Sequence, residues 1–331
     1  MPDVLMDELF GGGGQIQARG GVAKKLLANS MNPGALRSLD TLLYDEWKKI
    51  DTAVVEMSRL RLVGVADLIT RGLTYPLPNA LGTTVLAHQL QSDISDAVIS
   101  MDAVTPASKD RPDYSIAYLP IPVIHKDFGY NIRELSASRN GGSPLDTTTA
   151  ALAGLKVAEC LETLLFKGTG GLTFASGTIY GYENYTYTNS YTLAAAWTAT
   201  AADPVADIRG MKQASITDRH NGPWMAYVSS NWETVLDDDY SSSYPGVTIR
   251  DRIMKVDGII GCKVSDMMTA SRVLLVEMTP QTVQLVDGMQ PTNIEWDTMG
   301  GLEVNFKVMS ILVPRLRSDK SGRCGIILGA A

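Results

Sequence analysis

The residues able to do chemistry in this chain are few and scattered. His88, His125 and His220 fall in three separate segments, without the HxxxH or HExxH spacing that aims two imidazoles at one metal, and each reads as an exposed or singly hydrogen-bonded ring. Cys160, Cys262 and Cys324 are far apart, odd in number and without metal-like spacing, so they read as buried or incidental thiols in a reducing compartment. Asp237, Asp238 and Asp239 could gather a hard cation, but adjacent aspartates in the serine-rich stretch DDDYSSSYPG read as solvated charge. GTGG at 168–171 resembles a phosphate loop, yet it follows a helical pattern where such a loop should follow a strand and open a helix; a helix cap and turn is the better reading. There is no GxSxG elbow, and the acceptor triplet at Asn184 has no meaning without secretion. No catalytic, metal or cofactor constellation is expected, which points to binding or architecture.

Composition agrees with that direction. A chain of 331 residues with 45% hydrophobic and 20% charged content can bury a substantial core. No run of eighteen apolar residues occurs, and MPDVLMDELF lacks a basic region followed by an apolar one, so neither a membrane span nor a secretion signal is expected. A net charge of −7 argues against a dedicated nucleic-acid reader, but not against a container whose wall need not grip its contents.

The clearest element is a helix from Ser143 to Gly168. Ser143 caps it, Pro144 and Asp146 suit its first turn, and Gly168 ends it; Leu152, Leu155, Ala158, Leu161 and Leu165 form its apolar stripe, with Lys156, Glu159 and Glu162 elsewhere. Residues 1 to about 37, with GGGG at 11–14 and RGG at 19–21, read as an arm that orders only against a partner. A second helix is expected from about Thr41 to Leu62, stopped by Gly64. From Val65 to Ile132 the pattern is short extended runs broken by proline. It reads as a long two-stranded excursion unable to bury its own core, ending in the alternation of Phe128, Tyr130 and Ile132. Asp203 and Pro204 open another helix, Trp224 to Val228 is a strand, and Ser230 with Glu233 predicts a capping box. A helix over Thr248 to Met254 and strands at Val273–Met278, Val283–Val286 and Leu302–Ile311 complete an α+β pattern without repeats.

The order and spacing of these segments resemble a known family. DEWKKIDTAVVEMSRLRLVGVADLI (45–69) is similar to the N-terminal helix and following segment of encapsulins, the bacterial nanocompartment shell proteins. IPVIHKDFGYNIRELSAS (121–138) and PLDTTTAALAGLKVAECLETLLFKG (144–168) look like the strand, turn and long helix those proteins share with tailed-bacteriophage major capsid proteins. AYVSSNWETVLDDDYSSSYPGVTIRDRI (226–253) and VLLVEMTPQTVQLVDGMQPTNIEW (273–296) continue the likeness, which covers roughly residues 40 to 313.

The resemblance implies an N-terminal arm (1–40), an N-terminal helix (41–64), an extension loop (65–125), a peripheral domain (126–195 and 271–331) with its spine helix (144–167), and an axial domain (196–270). It implies a major capsid protein assembling through hexamers and pentamers into an icosahedral head around double-stranded DNA, with a separate scaffolding protein, a portal and a decoration protein as further partners. The chain would sit in the virion after assembly in the host cytoplasm, with no membrane partner. The 37 residues before the first family helix favour the phage branch over an encapsulin enclosing a cargo enzyme. A monomeric binding protein, the remaining reading, leaves the excursion unexplained. By the same resemblance Asp237, Asp238, Asp239 and Tyr240 belong to a loop at the capsomer pore. Lys109 with Asn293 or Asn305 are the candidates for the isopeptide lock some shells of this family carry.

Overall fold

The computed structural model describes residues 63–101, 104, 108–134, 136, 148–169, 173–241, 246–298, 300 and 302–331. The arm expected over 1–40, nearly all of the helix expected over 41–64, and Ser143, Pro144 and Asp146 lie outside the described residues.

Helix α1 (Val63–Thr70) precedes strands β1 (Thr74–Pro76), β2 (Val85–Gln91), β3 (Tyr114–Pro120) and β4 (Ile124–Asn131). The long helix α2 (Thr148–Lys167) leads through β5 (Thr173–Phe174), β6 (Gly177–Thr178) and β7 (Asn189–Thr192) to α3 (Pro204–Thr217). Strand β8 (Trp224–Ser229), helices α4 (Glu233–Asp237) and α5 (Ile249–Met254), and strands β9 (Ile259–Ser265), β10 (Arg272–Glu277), β11 (Val283–Thr298), β12 (Glu303–Leu316) and β13 (Ile326–Ala330) follow. The interleaving has no regular βαβ rhythm, so the architecture is mixed α+β. Among the described residues no helix is long and apolar enough to cross a membrane.

The larger sheet runs β7-β13-β10-β8-β9, and the second runs β1-β11-β12-β4. All six residues of β8 are buried, because both faces of this central strand are covered. On one face Trp224, Ala226 and Val228 join a core with Ile208 and Met211 of α3, where Trp197 stacks on Trp232 with centroids 4.9 Å apart. On the other, the Tyr227 ring meets the edge of Phe166 from α2 at 5.3 Å. Helix α3 starts as its sequence predicts: the Asp203 carboxylate accepts from the amides of Val205 (3.1 Å) and Ala206 (2.9 Å), and Pro204 occupies the first turn. This sheet takes strands at 189–192, 272–277 and 326–330, so it extends well outside the 196–270 segment expected to form the axial domain. Pairing of the C-terminal strand with distant β10 and β7 is a tertiary matter that local pattern cannot convey.

Contacts divide the chain into two units, one of residues 1–47, 129–145 and 295–305, the other of 48–128, 146–294 and 306–331. Within the first, the Ile132 amide donates to the Leu302 carbonyl (3.0 Å) and the Asn305 amide to Thr298 Oγ1 (2.7 Å). Within the second, Phe128 and Phe306 stack at 5.1 Å, so the alternation seen around both residues does mark half-buried strands.

Three local expectations need correction. The helix that Gly64 was expected to stop lies outside the described residues; Gly64 itself sits inside α1, where a Cβ would come within 2.7 Å of Leu165 Cδ2, so its lack of a side chain lets α1 settle on α2. The extended excursion consequently begins later, since residues 63–70 are helical and β1 belongs to a sheet. Ser230 and Glu233 form no capping box: Ser230 opens a 3₁₀ turn with no side-chain cap, while Thr248 and Asp251 make a reciprocal box at the start of α5. The stripe on α2 is also rotated from the expected one. Leu152 is exposed and Glu162, placed off the apolar face, is buried among Val157, Ala158, Leu161 and Leu165.

Glu162 is buried because it has a task there. Its two carboxylate oxygens lie 2.9 and 3.2 Å from the amide nitrogen of Gly64, where the free N–H groups of α1 attract negative charge. Nearby, Asp67 of α1 accepts from Tyr227 (3.0 Å) and from Lys263 (2.5 Å), which ties α1 to β8 and β9. Burial pushes the Glu162 carboxyl up from 4.5 to about 7, outweighing the Gly64 and Val65 amides that pull it down. The native state therefore holds a proton that the unfolded chain releases. This contribution to stability is present below about pH 4.5 and is lost as pH rises through about 7. Comparing urea midpoints of the wild type and Glu162→Gln across that window checks it: the wild type should fall relative to the variant, and parallel curves would refute the assignment.

Candidate assembly surfaces

The excursion is built from a ribbon and an irregular outer segment. β2 and β3 pair antiparallel from Val85↔Pro120 to Gln91↔Tyr114, and beyond them the chain from 92 to 113 carries no regular structure in its described part. The Ser95 amide and the hydroxyls of Ser95 and Ser108 all donate to Asp110, which staples the two sides together and, with Ser108 first, holds the Asp110 carboxyl below its usual range. Where the outer segment leaves the ribbon, Asp93 pairs with Arg219 (3.0 Å) and Arg323 (3.5 Å), and Asp113 with Lys320 (2.9 Å). These exposed pairs are individually weak, so they orient the excursion more than they stabilise it.

The outer segment leaves its apolar side chains uncovered. Ile94, Val98 and Val104 are more than half exposed, and Ile99 (99%) and Met101 (105%) are fully so. Five such side chains within eleven positions depart from the scattered surface apolar residues of an ordinary monomer. Burying them against another surface would supply on the order of 10 kcal/mol before association costs. Sequence reading did not single these residues out, although SDISDAVISMDAV carries the signal: an apolar run too irregular for helix or strand, set between two strand patterns.

The acidic loop has a defined form. Asp237 ends α4 and pairs with Arg250 (3.3 Å), and the Asp238 carbonyl accepts from the Ile249 amide (3.0 Å). Asp239 bridges to Thr248, with its carboxylate accepting from Gly246 (3.1 Å); the Tyr240 ring packs on the sheet core beneath the Arg252 guanidinium, 5.5 Å away. The Asp237 and Asp239 carboxylates thus go to separate partners, and Asp238 is held through its backbone carbonyl. Among the described residues no group of three or more His, Cys, Asp and Glu is arranged to hold a metal ion.

Lys109 is exposed on the excursion. Asn293, on β11, has both side-chain amide atoms secluded and without a partner among the described residues, whereas the Asn305 amide on β12 is engaged by Thr298. No hydrogen bond brings Lys109 to either asparagine.

Comparison with known proteins places this geometry. Residues 37–329 match the family described as "Family of unknown function (DUF6260)", and the chain belongs to that family. The type 1 encapsulin shell protein EncA of Myxococcus xanthus is 27% identical over 139 residues, a match spanning 40% of this chain and 44% of that protein. In fold, the chain is similar to the virus-like particle protein of Pyrococcus furiosus (TM-score 0.61, 16% identity, 86% of this chain and 98% of that one). It is also similar to the capsid of Myoviridae phage XM1 (TM-score 0.60, 10% identity, 78% and 90%). The capsid of an empty GTA particle gives a TM-score of 0.57 at 11% identity over 80% and 90%. The fold is that of the tailed-phage major capsid proteins.

The bridge at Asp239 can be tested directly. Asp239→Ala should speed limited proteolysis between 237 and 248 several-fold while shifting the denaturation midpoint by less than about 1 kcal/mol; an unchanged cleavage rate would show that the carboxylate does not hold the loop.

Proposed function

We propose that this chain is a shell-wall subunit that assembles with copies of itself, through hexamers and pentamers, into an icosahedral phage head enclosing double-stranded DNA. The observation that carries this reading is the uncovered apolar run from Ile94 to Val104 on an excursion held to the body where its outer segment begins. Among the described residues of a single copy nothing buries that surface, and a neighbouring copy supplies a cover in a closed, symmetric arrangement of repeated contacts. The excursion then acts as the extension loop, α2 as the spine of the peripheral domain, and the five-stranded sheet with α3 and α5 as the axial domain. Asp237 to Tyr240 stand at the capsomer pore. A scaffolding protein guides closure, a portal occupies one vertex, and a decoration protein binds the finished surface; assembly takes place in the host cytoplasm and the chain ends in the virion. The wall supplies no catalysis and no sequence-specific grip on DNA.

A second reading, an encapsulin-like compartment around a cargo enzyme, draws support from the partial match to the Myxococcus xanthus shell protein. The two readings differ in particle size and contents.

Size-exclusion chromatography with light scattering and negative-stain imaging should give closed particles of megadalton mass, and their diameter and nucleic-acid absorbance separate the head from the compartment. Ile99→Asp combined with Met101→Asp should keep the far-ultraviolet spectrum and cut particle yield at least tenfold. Assembly at wild-type yield would remove the excursion from the contact, and a chain that stays monomeric with its scaffold co-expressed would remove the shell reading. Particles boiled in denaturant should run as monomer, since the Asn305 amide is engaged by Thr298 and the Asn293 amide is secluded; a ladder of multimers would reinstate the Lys109 cross-link.

A further inference from the structure

Beneath the ribbon lies a cleft of about 860 Å³, walled by β2 and β3 on one side and by residues 315–323 and 218–220 on the other. Its charge runs against that of the chain. Arg219, Arg315, Arg317 and Arg323 line it against the two carboxylates Asp218 and Asp319, in a protein whose net charge is −7. Arg219 and Arg323 are already paired with Asp93, but Arg315 and Arg317 are not paired with any carboxylate among the described residues. Among the described residues the Arg315 guanidinium reaches only the side-chain amide oxygen of Gln284 (3.3 Å) and the face of Tyr75 (5.2 Å), and that of Arg317 only the Pro280 backbone carbonyl (3.4 Å).

The two guanidiniums stand two residues apart at the end of β12 and line the same cavity, with buried Leu316 between them. That spacing is roughly 7 Å along the chain, so each lies in the other's repulsive field. Two polar nitrogens are also left over inside: among the described residues Arg315 Nε is secluded from solvent without a partner, as is His88 Nδ1 on β2. Burial first, then Arg315 and Arg317, push the His88 ring down to about 4, which leaves it neutral near pH 7. On the facing wall, His220 is held by Glu277 (2.5 Å) and raised by that hydrogen bond, so it becomes cationic more readily. Unpaired like charges and unused donors around one open volume are costly without an anion to meet them.

We propose that this cleft is a binding site for an oligophosphate, free or carried by a nucleotide, held by the Arg315 and Arg317 guanidiniums with His88 completing the donor set. Guanidinium forks match the geometry of phosphate oxygens and can bind them in pairs. The volume exceeds what a single phosphate fills and lies in the range of small-ligand sites. Tyr114 and Ile116 of β3, both more than half exposed, supply an apolar wall for whatever the phosphates carry. The site is formed within one chain, so the proposal stands whether or not the chain builds a shell.

Isothermal titration of the full chain with tripolyphosphate, ATP and citrate, each at matched ionic strength, tests it. Tripolyphosphate, ATP or both should bind one per chain, with Arg315→Gln/Arg317→Gln weakening the affinity at least tenfold. Binding of ATP alone would identify a nucleotide-borne source, and equal binding of both a free one. No saturable binding to the wild type, equal binding of citrate, or an undiminished double variant would each overturn the proposal. If circular dichroism shows the double variant misfolded, Arg317→Gln, which removes the guanidinium bound only to an exposed carbonyl, is read instead: it should still lose at least threefold, and unchanged affinity overturns the site.

Discussion

The joint between α1, α2 and the central strand β8 is the constraint on which the larger unit depends. Gly64 lets α1 approach α2 until their side chains touch, and the Glu162 carboxylate meets the free amide at the start of α1 in the space so created. Asp67 extends the same polar network to Tyr227 and Lys263, while Phe166 packs against Tyr182 and Tyr227 around it. A buried acid is expensive, and here it is tolerated because backbone donors surround it and because it can hold a proton near neutrality. Three elements distant in sequence are thereby locked at one point.

The excursion answers to a different physics. Where its outer segment leaves the ribbon it is joined to the body by hydrogen bonds and ion pairs, while the outer residues carry apolar side chains that nothing among the described residues covers. The cleft under the ribbon adjoins the excursion, since β2 and β3 form one of its walls.

Much of this was legible before any coordinates. The long helix and its glycine end, the cap at Asp203, the buried strand at Trp224 and the alternation through Phe306 all follow from local rules of periodicity and capping. So did the two-stranded character of the excursion. Where reading failed, a tertiary contact had overruled a local preference. Glu162 looked like surface but caps another helix, brought near by the close approach that Gly64 allows. Ser230 looked like a cap, yet the backbone there turns as a 3₁₀ segment first. Of the acidic triplet Asp237 closes α4, and the pairing of Asp237 with Arg250 and of Asp239 with Gly246 and Thr248 depends on a return of the chain that spacing does not reveal.

By itself the sequence determined which segments are helix, which alternate as strands, and that one stretch could not bury its own core, because those properties depend on neighbours a few residues away. Their order was enough to resemble one fold. The tertiary structure alone decided that the C-terminal strand enters the sheet between β7 and β10, that Ile99 and Met101 remain bare, and that Arg315 and Arg317 share a cleft with His88. Each of these depends on residues separated by tens to hundreds of positions, and burial and charge are set by what lies across the fold, not along the chain.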